Sequence, residues 1–305
     1  MKILAQNKKK LSVSIKIIKD TFQGFIDDNV MRLSASLAYA TLFSIIPLLS
    51  LLVTIGVLLN IDFTNQLYAQ LEPIVGSKVI DALQAIMENA ETTDSFSFAT
   101  IISIGVTIFG ATTVFAEIQS SLNTIWGIKS WLKYIINRLL SFSVILAFAF
   151  ILLITFTITN LITDISNKFI TNNPDIAESL VKTIGMIINI GVTTVIFTLI
   201  FKILPDAKIK SKDVIIGALV TTVLLLIGQW GISFYIGFAN IETVYGAAAF
   251  MAIFITWIYY SAIIIYTGAE FTKAWANELG GKIFPDEYAV ATKVIEIREE
   301  NKPVN

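Results

Sequence analysis

The chain has 305 residues, of which 55% are hydrophobic and only 15% charged, with mean hydropathy +0.75 and a net charge of −1. A soluble domain carries about 25% charged residues, so this composition points to a polytopic membrane protein and away from an ordinary soluble fold. The absence of Cys and His excludes disulfides and thiolate chemistry, and removes the commonest general acid–base and metal-binding side chain.

Residues 1–32 are basic, with seven Lys or Arg. Leu11, Ile15, Ile18, Phe22 and Phe25 recur at helical spacing, with Lys16 and Lys19 off that face. The pattern predicts an amphipathic helix. It either lies on an anionic cytoplasmic leaflet or packs as a lead-in on neighbouring helices, and the sequence leaves both open. No apolar run of a cleavable signal is present here, so the first membrane segment is expected to serve as an uncleaved anchor.

Segment one, 33–59, is polar in its first half, with Ser34, Ser36, Tyr39, Thr41 and Ser44. Ser34/Ala38 and Ser36/Ala40 are pairs of small residues one turn apart, which let another helix approach closely. Pro47 removes a backbone donor, so a kink is expected there. Polar residues before a kink fit a helix facing the bundle interior. Ser36, Tyr39, Ser44 and Pro47, with Gln229 from segment five, are the candidate lining of a cavity or substrate path.

Residues 60–95 hold six acids and one base, Lys78. Two short apolar periods, broken at Pro73 and Gly76, predict paired amphipathic helices on the outer surface. They are too short to span. Segment two covers about 96–116 and runs on into Glu117, Gln119, Asn123 and Trp126. Segment three covers about 139–161, behind Arg138. A polar turn follows at 162–180. Segments four, five and six cover about 183–204, 214–238 and 245–269. From Thr243 to Ala269 there are 27 residues without a charge, enough to cross a ~30 Å hydrocarbon core with tilt. Residues 277–305 read as a charged cytosolic tail, partly helical, without an apolar core of its own.

The blocks before segments one, three and five and after segment six hold 19 of the 22 Lys and Arg. The positive-inside rule places those blocks, and both termini, in the cytoplasm. The expected fold is therefore all-α and polytopic: six transmembrane helices over 33–276 plus amphipathic surface helices. Arg32, Glu117, Asn123, Arg138 and Glu270 then fall at one boundary, where a polar network is expected. Glu117 or Glu270 is expected to pair with Arg32 or Arg138. Hydroxyls such as Ser34, Thr155 and Thr194 are expected to bond a carbonyl one turn back.

Three stretches carry a family likeness: GATTVFAEIQSSLNTIWGI (110–128), LPDAKIKSKDVIIGALV (204–220) and YGAAAFMAIFITWIYYSAIIIYTGAEFTKAWA (245–276). With RLSASLAYATLFSIIPLLSLL in segment one, they resemble the YihY/BrkB family of bacterial inner-membrane proteins over roughly residues 20–280. The family-like positions are Pro47, Asn123, Trp126, Pro205, Asp206, Tyr245, Gly246, Gly268 and Glu270. The resemblance implies a six-helix inner-membrane protein. Members once carried the label ribonuclease BN, which the lack of His, Cys and a carboxylate cluster in this chain argues against. Members are also associated with serum resistance and with movement of lipids or related amphiphiles.

Three function classes follow. A transporter or flippase-like protein for a lipid or amphiphile fits the polar first helix, the outer flap and the surface helix. A membrane scaffold or assembly factor fits the charged tail and basic loops. An intramembrane enzyme is disfavoured, because no span holds a deep Lys, Asp or Glu to activate a hydroxyl. No cofactor or metal is expected, and no phosphate-binding GxxxxGK[ST] loop occurs. The expected partners are membrane lipids and not nucleic acid, because topology accounts for the basic loops.

Overall fold

The structure, a computed structural model, describes residues 2–58, 98–130, 174–238 and 249–292, with the single residues 143, 147 and 151. Six helices occur among the described residues: α1 Lys2–Asp27, α2 Val30–Leu58, α3 Phe98–Ile125, α4 Pro174–Ile203, α5 Ser211–Phe238 and α6 Ala249–Glu278. Helices α2 to α6 correspond to five of the six expected spans. Segment three, apart from those single residues, and the whole 60–95 excursion lie outside the described residues.

Long apolar periods fixed the helices well, and their ends moved for identifiable reasons. Helix α4 begins at Pro174, so the last third of the expected polar turn, from 174 to 180, is helical. Proline is well suited to a first helical turn, where its missing N–H has no intrahelical partner to lose. Helix α2 stays helical through Pro47, so the proline does not break it. Helix α3 runs through the whole GATTVFAEIQSSLNTI motif and stops at Gly127, whose φ of 64° ends the last turn. Helix α6 continues past the expected end of its span, to Glu278.

Membrane character is visible in how the apolar helices are placed. Among the described residues, Thr183–Ile203 and Ser211–Gln229 are long and apolar enough to cross a bilayer, with mean hydropathies of 2.2 and 1.8. Only 17% of the first is buried inside the protein. A soluble core helix would hide such a surface. On α5, Ile215, Leu219, Val223 and Ile227 follow at four-residue spacing and are 47–63% exposed, an outward apolar stripe.

Helices α1 and α2 both follow α6, from its C-terminal end toward its N-terminal end. Lys16 pairs with Glu278, Gly24 meets Glu270, and Ala38 packs with Phe254 and Ile258. Helix α1 is therefore a continuation of α2 in the same direction, broken only at Asp28-Asn29. Asn29 takes a left-handed φ of 52°, a conformation Asn tolerates better than most residues. Ile17 and Thr21 of α1 are buried, whereas Ile15, Ile18, Phe22 and Ile26 are 58–68% exposed. One face of α1 thus packs on α6, and most of its apolar face stays exposed.

Among the described residues, four short strands tie the ends of the helices together. Strand β1 (Ile128–Ser130) follows α3, and β2 (Ala207–Lys208) links α4 to α5. Strands β3 (Phe284–Pro285) and β4 (Ala289–Ala291) lie beyond α6. Strand β1 pairs antiparallel with β4, and β2 with β3. The first half of the expected partly helical tail is thus extended and docked on two interhelical connections. The basic segments around Lys16, Lys129, Lys208 and Lys273 consequently gather at one end of the bundle. A core runs through that end, built from Leu122 and Ile125 of α3 with Trp126 just beyond it, Phe197 and Phe201 of α4, Val214 of α5, and Tyr266 and Ala269 of α6.

Candidate functional site

Two polar centres occupy the basic end. The first is built on Asp206, in the turn after α4. Asn123 donates through Nδ2 to Asp206 Oδ2 at 2.8 Å, and its Oδ1 accepts from the Asp206 backbone N–H at 2.9 Å. Gln119, one turn earlier on α3, approaches the same carboxylate at 3.3 Å. All three side chains are buried. The Asp206 carbonyl accepts from the Asp286 N–H at 3.0 Å, and the Trp126 indole N–H donates to the Ala269 carbonyl at 3.2 Å. Asn123, Trp126, Asp206 and Ala269 come from the three stretches that carry the family likeness. Those stretches are therefore parts of one joint between α3, the α4–α5 turn and α6.

The second centre lies where α1 meets α6. Glu270 is 1% exposed and fully surrounded by protein. Lys273 donates to Asp28 at 2.7 Å and lies 3.4 Å from Glu270 Oε2. Glu270 Oε1 has no hydrogen-bond partner, and the Asp28 carboxylate faces it. Two carboxylates thus share one ammonium. Gly24 accommodates this arrangement, because a Cβ there would meet the Glu270 carboxylate and require it to shift.

Ion pairs at the surface fasten the rest of this end. Lys16 hydrogen-bonds Glu278, which pushes the Lys16 ammonium above its usual range. Lys208 bonds Asp286 at 3.0 Å. That bond, helped by the Glu287 N–H, holds the Asp286 carboxyl below its usual range, and the same bond raises Lys208. Among the described residues, no group of three or more carboxylates is arranged to hold a metal ion.

The sequence-derived candidates fall into two groups. Glu270 and Asn123 are buried at the joint as expected, but with other partners. Glu270 meets Lys273, one turn away on its own helix, and not Arg32. Arg32 is exposed, and Arg138 lies outside the described residues. Glu117 is half-buried on α3 and forms no ion pair among the described residues. Of the candidate cavity lining, Ser44 is buried, but Ser36, Tyr39 and Gln229 are exposed. The side chain of Pro47 lies outside the described residues. Tyr39 lies 68% exposed, with its ring against Phe43. A serine hydroxyl that can bond its own helix need not face the interior, and a tyrosine is at home at a membrane interface. Ser34 and Ala38, by contrast, are both buried as the small-residue pair predicts.

The hydroxyl expectation holds for Thr194, which donates to the Ile190 carbonyl at 2.7 Å. Ser34 departs from it, since its buried hydroxyl finds no acceptor. The sequence does not single out Asp28 or Gly24, and it gives Gln119 and Lys273 no partner. Lys273 and Glu270 are three residues apart and were detectable as a helical ion pair; the Asp28 and Gly24 contacts required the fold.

A family profile described as Virulence factor BrkB matches residues 21–287. The chain belongs to the BrkB family. BrkB relatives include a UPF0761 membrane protein of Chromobacterium violaceum, 27% identical over 256 residues, covering 80% of this chain and 58% of the relative. A second, from Alcanivorax borkumensis, is 24% identical and covers 82% of this chain and 58% of the relative. A third, from Alteromonas mediterranea, is 23% identical and covers 84% of this chain and 87% of the relative. The chain thus spans little more than half the length of the first two. All three are named membrane proteins, in agreement with the outward apolar stripes. No solved structure matches the chain.

Proposed function

We propose that this chain is a transporter or flippase-like protein for a lipid or other amphiphile in the bacterial cytoplasmic membrane, with six spans and both termini in the cytoplasm. The observation that carries this reading is the Asp28–Lys273–Glu270 centre. Buried ionisable groups are costly in a membrane protein and mark pathways for ions or polar substrates. With all three groups ionised, this centre bears one excess negative charge and leaves Glu270 Oε1 unpaired. A proton or the cationic part of a headgroup would neutralise it. The centre adjoins the Asn29 break between α1 and α2, so binding there acts on how α1 sits against α6. With no nucleotide-binding loop, movement is facilitated or driven through a partner. The reading assigns no catalytic residue, cofactor or nucleic acid.

The test is reconstitution into vesicles carrying a fluorescent phospholipid, with an impermeant quencher added outside. Transport predicts that the protein exposes inner-leaflet lipid to the quencher faster than protein-free vesicles do. Rates equal to those of protein-free vesicles for every lipid headgroup would contradict the reading.

A scaffold or assembly factor in envelope biogenesis is the second reading. The observation favouring it is the clamp of β3 and β4 on β2 and β1, which makes a fixed platform at the basic end. Such a protein would leave lipid movement unchanged, while disruption of the platform would release its partners.

A further inference from the structure

We propose that the groove between α1 and α6 binds an acyl chain of an anionic phospholipid from the adjacent leaflet. The groove has a volume of about 310 Å3 and is lined by Ile18, Thr21, Phe22 and Phe25 of α1 and by Thr267 and Phe271 of α6. Its two threonines do not make it polar. The Thr21 hydroxyl donates to the Ile17 carbonyl at 2.8 Å, and the Thr267 hydroxyl to the Ile263 carbonyl at 2.6 Å. Neither needs water or a ligand to satisfy it. The volume is at the lower end of small-molecule sites, about 300–1,000 Å3, and suits a slender chain. At Ile18 and Phe22 the groove is continuous with the exposed stripe of Ile15, Phe22 and Ile26.

Charge and position identify the occupant. Helix α1 carries six lysines against two aspartates. Lys16 is engaged by Glu278. Lys19 is exposed and makes no ion pair among the described residues. It adjoins Ile18 and precedes Phe22 by one turn, so an exposed lysine borders the residues that line the apolar groove. The α6 wall, Thr267 and Phe271, straddles the end of the uncharged run at Ala269. A headgroup phosphate near Lys19 with its tail in the groove satisfies both features, as at basic amphipathic helices on anionic leaflets. A docked protein helix would answer the stripe but not the lysines. The occupant is a resident lipid, and its binding does not depend on the chain moving lipids.

The full chain in mild detergent is offered equal amounts of phosphatidylglycerol and phosphatidylcholine with matched acyl chains, and retained lipids are counted by native mass spectrometry. The wild type is expected to retain phosphatidylglycerol in preference. Lys19→Glu is expected to lower that preference by about fivefold or more, the weight of at least one basic residue at an anionic surface. Thr267→Trp, which fills the groove, is expected to remove the most firmly retained lipid. Ile18→Asp, at an exposed position that folding tolerates, is expected to do the same. Loss of lipid in Ile18→Asp with an unchanged melting temperature supports the site even where Thr267→Trp fails to fold. A wild type without preference, or groove variants that retain the same lipids as the wild type, would overturn it. Neither result bears on transport, which the vesicle assay reads separately.

Discussion

Thr272 occupies the space that a side chain on Gly217 would need: a Cβ built there would land on the threonine hydroxyl. The contact is repeated in reverse one turn away, where Thr221 fills the space beside Gly268. Each hydroxyl is satisfied by the glycine four residues back on its own helix, Thr221 by the Gly217 carbonyl at 2.8 Å and Thr272 by the Gly268 carbonyl at 2.7 Å. Helices α5 and α6 thus carry the same Gly-x-x-x-Thr pattern and interlock through it. In a membrane, where lipid is as apolar as the side chains, such close approach of backbones is what holds helices together.

Gly217→Val and Gly268→Leu are therefore expected to separate α5 from α6 and to cost about 1–3 kcal/mol, the usual range for overpacking. The thermal midpoint in mild detergent reads the loss. Gly217→Ala combined with Thr272→Ala is expected to be more stable than Gly217→Ala alone, because the second change removes the colliding atoms. An additive double variant would show that the two residues do not meet.

The Asn123–Asp206 clasp makes a prediction of opposite chemistry. Asn123→Ala leaves a buried N–H and a buried carboxylate without their main partner, at a cost of about 1–3 kcal/mol. Asn123→Asp is expected to be worse, since it sets two carboxylates against each other. Chemical denaturation of the purified chain in detergent checks the order wild type, alanine, aspartate.

Docking of the β3 strand on β2 depends on pH with a determined sign. Asp286 is held below its usual range by Lys208, so its contribution is present above about pH 4, the unfolded value, and is lost as pH falls through the lower folded value. Lys208 is raised, so its contribution is present below about pH 10 and is lost as pH rises through the folded value. The strand is expected to hold across neutral pH and to loosen on acidification below about pH 4. Protease cleavage between residues 284 and 292 reads this, and Lys208→Gln is expected to flatten the acid limb. Both side chains are at least half exposed, so the effect is small.

Orientation is testable because the chain has no cysteine of its own. Lys212 and Asn277 are exposed at the basic end. Single Lys212→Cys and Asn277→Cys variants are expected to react with an impermeant maleimide only after the cytoplasmic membrane is opened. Labelling in intact cells would reverse the assigned orientation.

The helices were readable in the sequence because long uncharged runs and helical apolar periods are local signals. Their ends were less so: Pro174 and Gly127 act through backbone preferences that a polar or apolar run does not report. The strands could not be read at all. Each has two or three residues, and β1 and β2 find their partners more than 70 positions away. Glu270 and Asn123 were visible as site residues through charge and motif. Their true partners were not, because Asp28 and Asp206 reach them only through a register set by α1 on α6 and by the α4–α5 turn. Ser36, Tyr39 and Gln229 are exposed whereas Ser44 is buried, because side-chain polarity alone does not say which face of a membrane helix is turned inward.

The most direct test of the proposed role is the rate of lipid movement in reconstituted vesicles for wild type and Glu270→Gln. The substitution keeps the shape of the side chain and the Lys273–Asp28 bond, but removes the second carboxylate that shares the Lys273 ammonium. A working role for the centre predicts lipid movement well above protein-free vesicles for the wild type. It also predicts a loss of about tenfold or more in Glu270→Gln at an unchanged melting temperature, the scale of a barrier change of about 1.4 kcal/mol. A wild type no faster than empty vesicles, or a Glu270→Gln variant as fast as the wild type, would contradict it.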